Sequence, residues 1–176
     1  SAGSGAEDLA RDEQQRGHPI RDEIKPSSQW ALAGEGVATI KLDGTNIKVD
    51  QGQLFKRQKP TNREYDRASY VTCSRIDPAD RWAWAAFDGL ALADGIYELV
   101  GPKIQGNPQR YDVHTLIRVL PPDPSLVVQL QTADLSFCGL KEWLEHHPVE
   151  GLVFHHPDGR LAKINRRDFG LPWPAR

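Results

Sequence analysis

The run Lys41-Leu42-Asp43-Gly44-Thr45-Asn46 places an amine, a carboxylate and an amide within six positions. In a strand the side chains alternate between faces, so Lys41 shares a face with Val37 and Thr39, while Ile40 and Leu42 point the other way. A lysine amine is a nucleophile only without its extra proton, and its reference pKa is about 10.4. Nearby positive charge and burial lower that value, and a neighbouring carboxylate raises it. Just before a tight Asp-Gly turn, Lys41 is expected at the rim of a cavity. Gly44 would let a ligand approach the backbone closely. The plainer alternative is a surface lysine beside a hairpin.

Two further groups carry chemistry. Glu98 lies inside Tyr97-Glu98-Leu99-Val100, followed by Gly101-Pro102-Lys103. A carboxylate among apolar strand neighbours must be paired, act as a ligand or face a cavity, because burying it alone is costly. Glu150 opens Glu150-Gly151-Leu152-Val153-Phe154, and Lys163 sits in Arg160-Leu161-Ala162-Lys163-Ile164. By alternation Leu161, Lys163 and Asn165 share a face. A glutamate can hold a divalent cation through oxygen, and a lysine can hold a phosphate as a point charge. An ordinary cross-strand ion pair between them is the other reading.

The elements that must position these residues follow from local pattern. Strands are expected over 37–42, 46–49, 53–57, 96–100, 150–155 and 160–166. The first three are expected to form an antiparallel meander with turns at Asp43-Gly44 and Gln51-Gly52. Pro157-Asp158-Gly159 signals a hairpin turn. Helices are expected over 80–93, with Trp82, Ala86 and Leu90 on one face and Phe87 beside it, and over 140–147, stopped by Pro148. The aromatics of the first helix read as core rather than as stacking platforms. This order implies an α+β domain built on antiparallel sheets with flanking helices. Residues 1–29 read as a peripheral segment, linker-like over 1–5 and charged, with helical tendency, over 7–16. Residues 30–176 read as one domain.

Bulk properties set the class. The chain has 176 residues, 39% hydrophobic and 26% charged, with a formal net charge of −2. That suits a soluble globular domain rather than a disordered or broadly basic, nucleic-acid-coating one. No apolar run approaches the roughly 20 residues of a membrane span, and no signal-peptide pattern is evident. Two local basic clusters stand out: Lys56, Arg57, Lys59 and Arg63, then Arg160, Lys163, Arg166 and Arg167. Such clusters can line a groove for phosphates or form a solvated face. Cys73 and Cys138 are expected as buried or half-buried reduced thiols in a cytoplasmic setting. His146, His147, His155 and His156 come in adjacent pairs, which in a strand point to opposite faces, against a zinc site.

The ordered motifs KxDGxN, YELVG, EGLVF and AKI resemble motifs I, III, IV and V of the covalent nucleotidyltransferase superfamily, which contains ATP-dependent DNA ligases, RNA ligases and mRNA capping enzymes. The resemblance runs from about Gly36 to Leu171. Asn46 looks like the RNA-ligase form of motif I. The stretches Gly101 to Pro108 and Glu150 to Gly170 resemble a family of small RNA ligases that includes the vertebrate 5′–3′ RNA ligase.

The resemblance implies a nucleotidyltransferase fold, an ATP-grasp-like ligase adenylation domain, here without an OB-fold. It implies an ATP-dependent RNA ligase that forms lysyl-AMP, adenylylates an RNA 5′-phosphate and joins it to a 3′-hydroxyl. By resemblance Lys41 is the nucleophile. Asp43 and Glu150 help to hold Mg²⁺ or Mn²⁺. Asn46 and Arg57 contact the nucleotide or the incoming 5′-phosphate, Glu98 binds ribose, Lys163 grips the α-phosphate, and Lys103 is a weaker contact. The partner is RNA, with no membrane or obligate protein partner. Asn165 stands where the family often has a second lysine. Tyr111 and Phe154 are candidates to stack on adenine. The alternatives are a DNA nick ligase, a GTP-using capping core and an inactive RNA-binding module.

Overall fold

The computed structural model describes residues 28–58 and 69–173. In chain order its elements are α1 (Gln29–Leu32), β1 (Val37–Lys41), β2 (Thr45–Asp50), β3 (Gln53–Gln58), β4 (Ser69–Thr72), α2 (Arg81–Phe87), β5 (Gly95–Val100), β6 (Thr115–Leu120), β7 (Val127–Val128), α3 (Phe137–His146), β8 (Gly151–His155) and β9 (Leu161–Asn165). They fall into two compact units. Among the described residues, one comprises those through Lys41 together with those from Pro124 onward, and the other those from Leu42 to Asp123. The expected helical segment over 7–16, and Lys59 and Arg63 of the first basic cluster, lie outside the described residues.

The first unit holds an antiparallel sheet in the order β7-β1-β8-β9. Its alternation gives two chemically distinct faces. Ala38, Leu152, Phe154, Ala162 and Ile164 form one face and pack with Trp30, Phe137, Leu140, Leu144 and Phe169 into a core. Removing that apolar surface from water is the main force that fixes the register, because a slip of one residue would turn the whole set outward. The other face carries Thr39, Lys41, Val153, His155, Leu161, Lys163 and Asn165. Helix α3 begins three residues before the expected start, because the Ser136 hydroxyl accepts the Gly139 N–H at 2.9 Å and caps it.

The second unit holds an antiparallel sheet in the order β4-β3-β2-β5-β6. Ile47, Val49, Leu54, Tyr97, Leu99 and Leu116 face Cys73 and the α2 residues Ala83, Trp84 and Ala86. The opposite face carries Asn46, Lys48, Phe55, Arg57, Tyr70 and Glu98. Helix α2 stops at Phe87, not at residue 93, and Gly89 just beyond takes φ +81°. Leu90 is consequently exposed; Ala86 of the expected stripe is in the core, joined there by Ala83 and Trp84. Trp82 instead stacks on His114, with ring centroids 4.2 Å apart.

Strands β1 and β2 do not form a hairpin. β1 pairs with β7 and β8, and β2 pairs with β3 and β5, so Asp43-Gly44 links two different sheets. Gly44 is needed for a reason other than ligand approach: a Cβ there would meet the Leu99 carbonyl oxygen at 2.1 Å. Its absence lets the entry to β2 lie against β5, where the Gly44 N–H donates to Glu98 Oε1 at 3.1 Å. The α+β class and the antiparallel sheets agree with the sequence reading; strands β4, β6 and β7 were not foreseen. Among the described residues no helix is long and apolar enough to cross a membrane.

Candidate functional site

Lys41 ends β1 opposite Gly151, and Glu150 stands immediately before β8. The register therefore delivers the carboxylate to the amine. Lys41 Nζ lies 3.2 Å from Glu150 Oε1. Gly151 keeps the strands close at this point, since a Cβ would meet the Ile164 carbonyl oxygen at 2.0 Å. Two residues along, Thr39, Val153 and Lys163 form a continuous row across β1, β8 and β9. Cross-strand partners share a face, so Lys41 and Lys163 lie on the same side of the sheet, away from its core.

The next row brings in a residue that sequence reasoning weighed only as a zinc ligand. His155 Nε2 lies 3.0 Å from Thr39 Oγ1, and the Thr39 hydroxyl also donates to the Val153 carbonyl at 3.3 Å. Burial holds the His155 pKa below its ordinary value, so the ring is neutral near pH 7. Asn165, in the row of Lys41, is buried, and its backbone N–H donates to Asp168 Oδ2 at 2.9 Å.

The second unit assembles its own polar face. Asn46 pairs in register with Glu98, and Arg57 with Tyr70. Tyr70 donates its hydroxyl to Asn46 Oδ1 at 2.5 Å, which fixes the amide with its N–H₂ directed elsewhere. The Lys48 amine stands 5.9 Å from the Tyr70 ring centroid. Burial is the main cause of the raised Tyr70 pKa. Asp43 is half-buried, and Lys103 is exposed, its backbone N–H donating to His114 Nε2 at 3.1 Å. Tyr70 was not anticipated. The alternation Ser69-Tyr70-Val71-Thr72 was the available signal, but four residues are too few to stand out.

The described members of the two basic clusters turn to different partners. Lys56 and Arg57 point to opposite faces of β3, and Lys56 is tied to Asp80 at 2.8 Å. Arg166 is buried and donates to the carbonyls of Pro172, His147 and Val149, so it clasps the chain instead of awaiting a phosphate. Arg160 is held by Asp158 at 2.8 Å. Phe154 is 2% exposed on the core face, which removes it as a base-stacking group. Cys73 is buried, and its thiol is pushed up to about 11 by burial; Cys138 is exposed, contrary to expectation. His146 and His147 turn their Nδ1 atoms to the carbonyls of Glu142 and Trp143. Among the described residues no group of three or more His, Cys, Asp or Glu could hold a metal ion.

Fold and site together define an α+β protein in which each of two antiparallel sheets turns a charged or polar face away from its own core. The chain belongs to the RNA ligase 1 family, whose sequence model matches residues 86–176. It is 34% identical to RNA ligase 1 of Pongo abelii over 177 residues, covering 88% of this chain and 52% of that protein. It is 26% identical to RNA ligase 1 of Mus musculus over 167 residues, covering 92% and 46%. With RNA ligase 1 of Danio rerio it shares 32% identity over 93 residues, covering 48% and 27%. The chain thus spans about half or less of the length of these relatives.

Proposed function

We propose that this chain carries the adenylylating machinery of an ATP-dependent RNA ligase with a nucleotidyltransferase fold, and that Lys41 is its nucleophile. The observation behind this reading is the 3.2 Å contact between Lys41 and Glu150 on a sheet face that also presents Lys163. Family membership and the ordered motifs support RNA as the substrate.

The deprotonated Lys41 amine attacks the α-phosphorus of ATP. A P–N bond forms, the bond to the bridging β-phosphate oxygen breaks, and pyrophosphate leaves. An oxygen of an RNA 5′-phosphate then attacks the same phosphorus, and Lys41 departs with a proton regained. A 3′-hydroxyl attacks the activated 5′-phosphorus, loses its proton, and AMP leaves. The protein supplies placement and charge neutralisation. Lys163 acts as a point charge toward the α-phosphate. Glu150 holds the amine at rest, and attack requires that pair to part. In the second unit, Glu98 is assigned to ribose, Asn46 and Arg57 to sugar or 5′-phosphate, and Lys103 to a weaker phosphate contact.

Glu150 and Asp43 are the carboxylates assigned to Mg²⁺ or Mn²⁺. The donor chemistry fits: Mg²⁺ is commonly held by one or two carboxylates with waters and substrate phosphates, not by a closed protein cage. When bound, the ion supplies charge neutralisation on the phosphates.

Intact mass after exposure to ATP and Mg²⁺ tests the reading. One added AMP is expected, and none on Lys41→Ala. An adduct that persists in Lys41→Ala rejects the nucleophile. Labelling by GTP in preference to ATP would favour a capping-type enzyme instead.

A further inference from the structure

The polar pair beyond Lys163 on this face has no part in the phosphate chemistry just described. Thr39 is buried, and its neighbour His155 is half-buried on the same side of the sheet as Lys41. Rows advance about 6.7 Å for every two residues of strand. His155, opposite Val37, therefore stands two rows from Lys41, on the order of 13 Å along the strands. That span matches the length of a nucleoside monophosphate laid along the sheet with its phosphate at Lys41. Lys163 lies in the intervening row.

The hydrogen bonds set which ring nitrogen carries the proton. A threonine hydroxyl has one proton to give. Thr39 Oγ1 contacts both the Val153 carbonyl and His155 Nε2. Both contacts can be hydrogen bonds at once in one arrangement: the hydroxyl donates to Val153 O, and Nε2–H donates to the hydroxyl. Giving the proton to Nε2 instead would forfeit the first bond. With Nε2 protonated in a neutral ring, Nδ1 is left as an acceptor.

We propose that His155, held in this tautomer by Thr39, reads the nucleobase of the bound nucleotide through Nδ1 and selects adenine by accepting a hydrogen bond from its exocyclic amine. Guanine presents a carbonyl oxygen at the same edge position, and two acceptors repel. Hypoxanthine, with the same carbonyl and no amine, is discriminated against in the same way. His155 thus acts as a specificity residue and Thr39 as a positioning residue. The inference rests on the reading of Lys41 as the site of nucleotide attachment, and the tests of the two are separable.

The test measures dissociation constants of ATP, GTP and inosine triphosphate on the whole chain, apart from adduct mass. ATP is expected to bind about tenfold or more tightly than either other nucleotide, as befits one mispaired polar contact. His155→Leu and Thr39→Val should bring the three within about threefold of one another, whereas Thr39→Ser, which keeps the hydroxyl, should retain the preference. Equal binding of ATP and inosine triphosphate by the unaltered protein overturns the inference without need of any variant. So does an ATP preference that survives in a folded His155→Leu protein. Loss of the AMP adduct alone would reject covalent catalysis while leaving the base selectivity to be decided by these ratios.

Discussion

Lys41 Nζ and Glu150 Oε1 stand 3.2 Å apart, each side chain 21% exposed, at the point where β1 and β8 end their ladder. The pair ties the amine proposed as the nucleophile to a carboxylate more than a hundred residues away. Glu150→Gln keeps the shape and removes the charge. An ion pair with this much exposure contributes at most about 1 kcal/mol, so the melting temperature should move by a few degrees or less. Adduct formation with ATP should fall by roughly 10²-fold, read by intact mass against time. An unchanged rate would strip Glu150 of its role.

Tyr70→Phe removes the hydroxyl that holds the Asn46 amide. The expected stability cost is about 1 kcal/mol. Asn46 is then free to flip, and the joining of a pre-adenylylated RNA, or binding of the nucleotide, should weaken several-fold. Asn46→Ala made on top of Tyr70→Phe should add little beyond Asn46→Ala alone, since the two act through one amide. Full additivity in that cycle would show that Tyr70 does not work through Asn46.

Gly44→Ala should destabilise the second unit by about 3 kcal/mol or more, because the new methyl would meet a backbone oxygen that belongs to the β5 ladder. Gly159→Ala has open space around it, but φ is +96°, so only backbone strain of about 1 kcal/mol is expected. Urea denaturation of both variants gives the comparison; equal losses would refute the steric account of Gly44.

Alkaline pH should loosen the second unit. Burial is the first cause of the raised Cys73 and Tyr70 pKa values, and the Asp80 hydrogen bond is the first cause of the raised Lys56 value. Each group holds its proton more firmly when folded, so its stabilising share is complete below its unfolded pKa and is lost as pH rises through the folded one. For Cys73 that window runs from 9.0 to about 11. The urea midpoint should stay level up to about pH 9 and then decline. Cys73→Ala should remove the earliest part of the decline. On the acid side His155, whose folded pKa is lowered by burial, contributes stability that is lost as pH falls below the ordinary imidazole value of 6.5.

Thiol labelling at pH 8 should modify Cys138 in the folded protein and leave Cys73 intact until urea is added. The first thiol is exposed, while the second is 3% exposed with its proton firmly held. Rapid double labelling without denaturant would contradict the burial of Cys73.

Much of this molecule was already legible in one dimension. Alternation along β1, β8 and β9 placed Lys41 with Thr39, and Lys163 with Asn165, because a strand's period of two is a property of the local backbone. The turn at Pro157-Asp158-Gly159 and the core position of Ala86 followed from equally local rules. Tertiary structure alone decided which strands meet. It sent β1 and β2 to separate sheets, gave Gly44 its place beneath the Leu99 carbonyl, removed Phe154 to the core and Arg166 to a set of carbonyls, and brought Tyr70 to Asn46 and His155 to Thr39. The physical reason is that burial and backbone pairing are satisfied over the whole chain at once. Contacts such as Thr39 with His155, separated by 116 positions, leave no imprint on the residues around either partner.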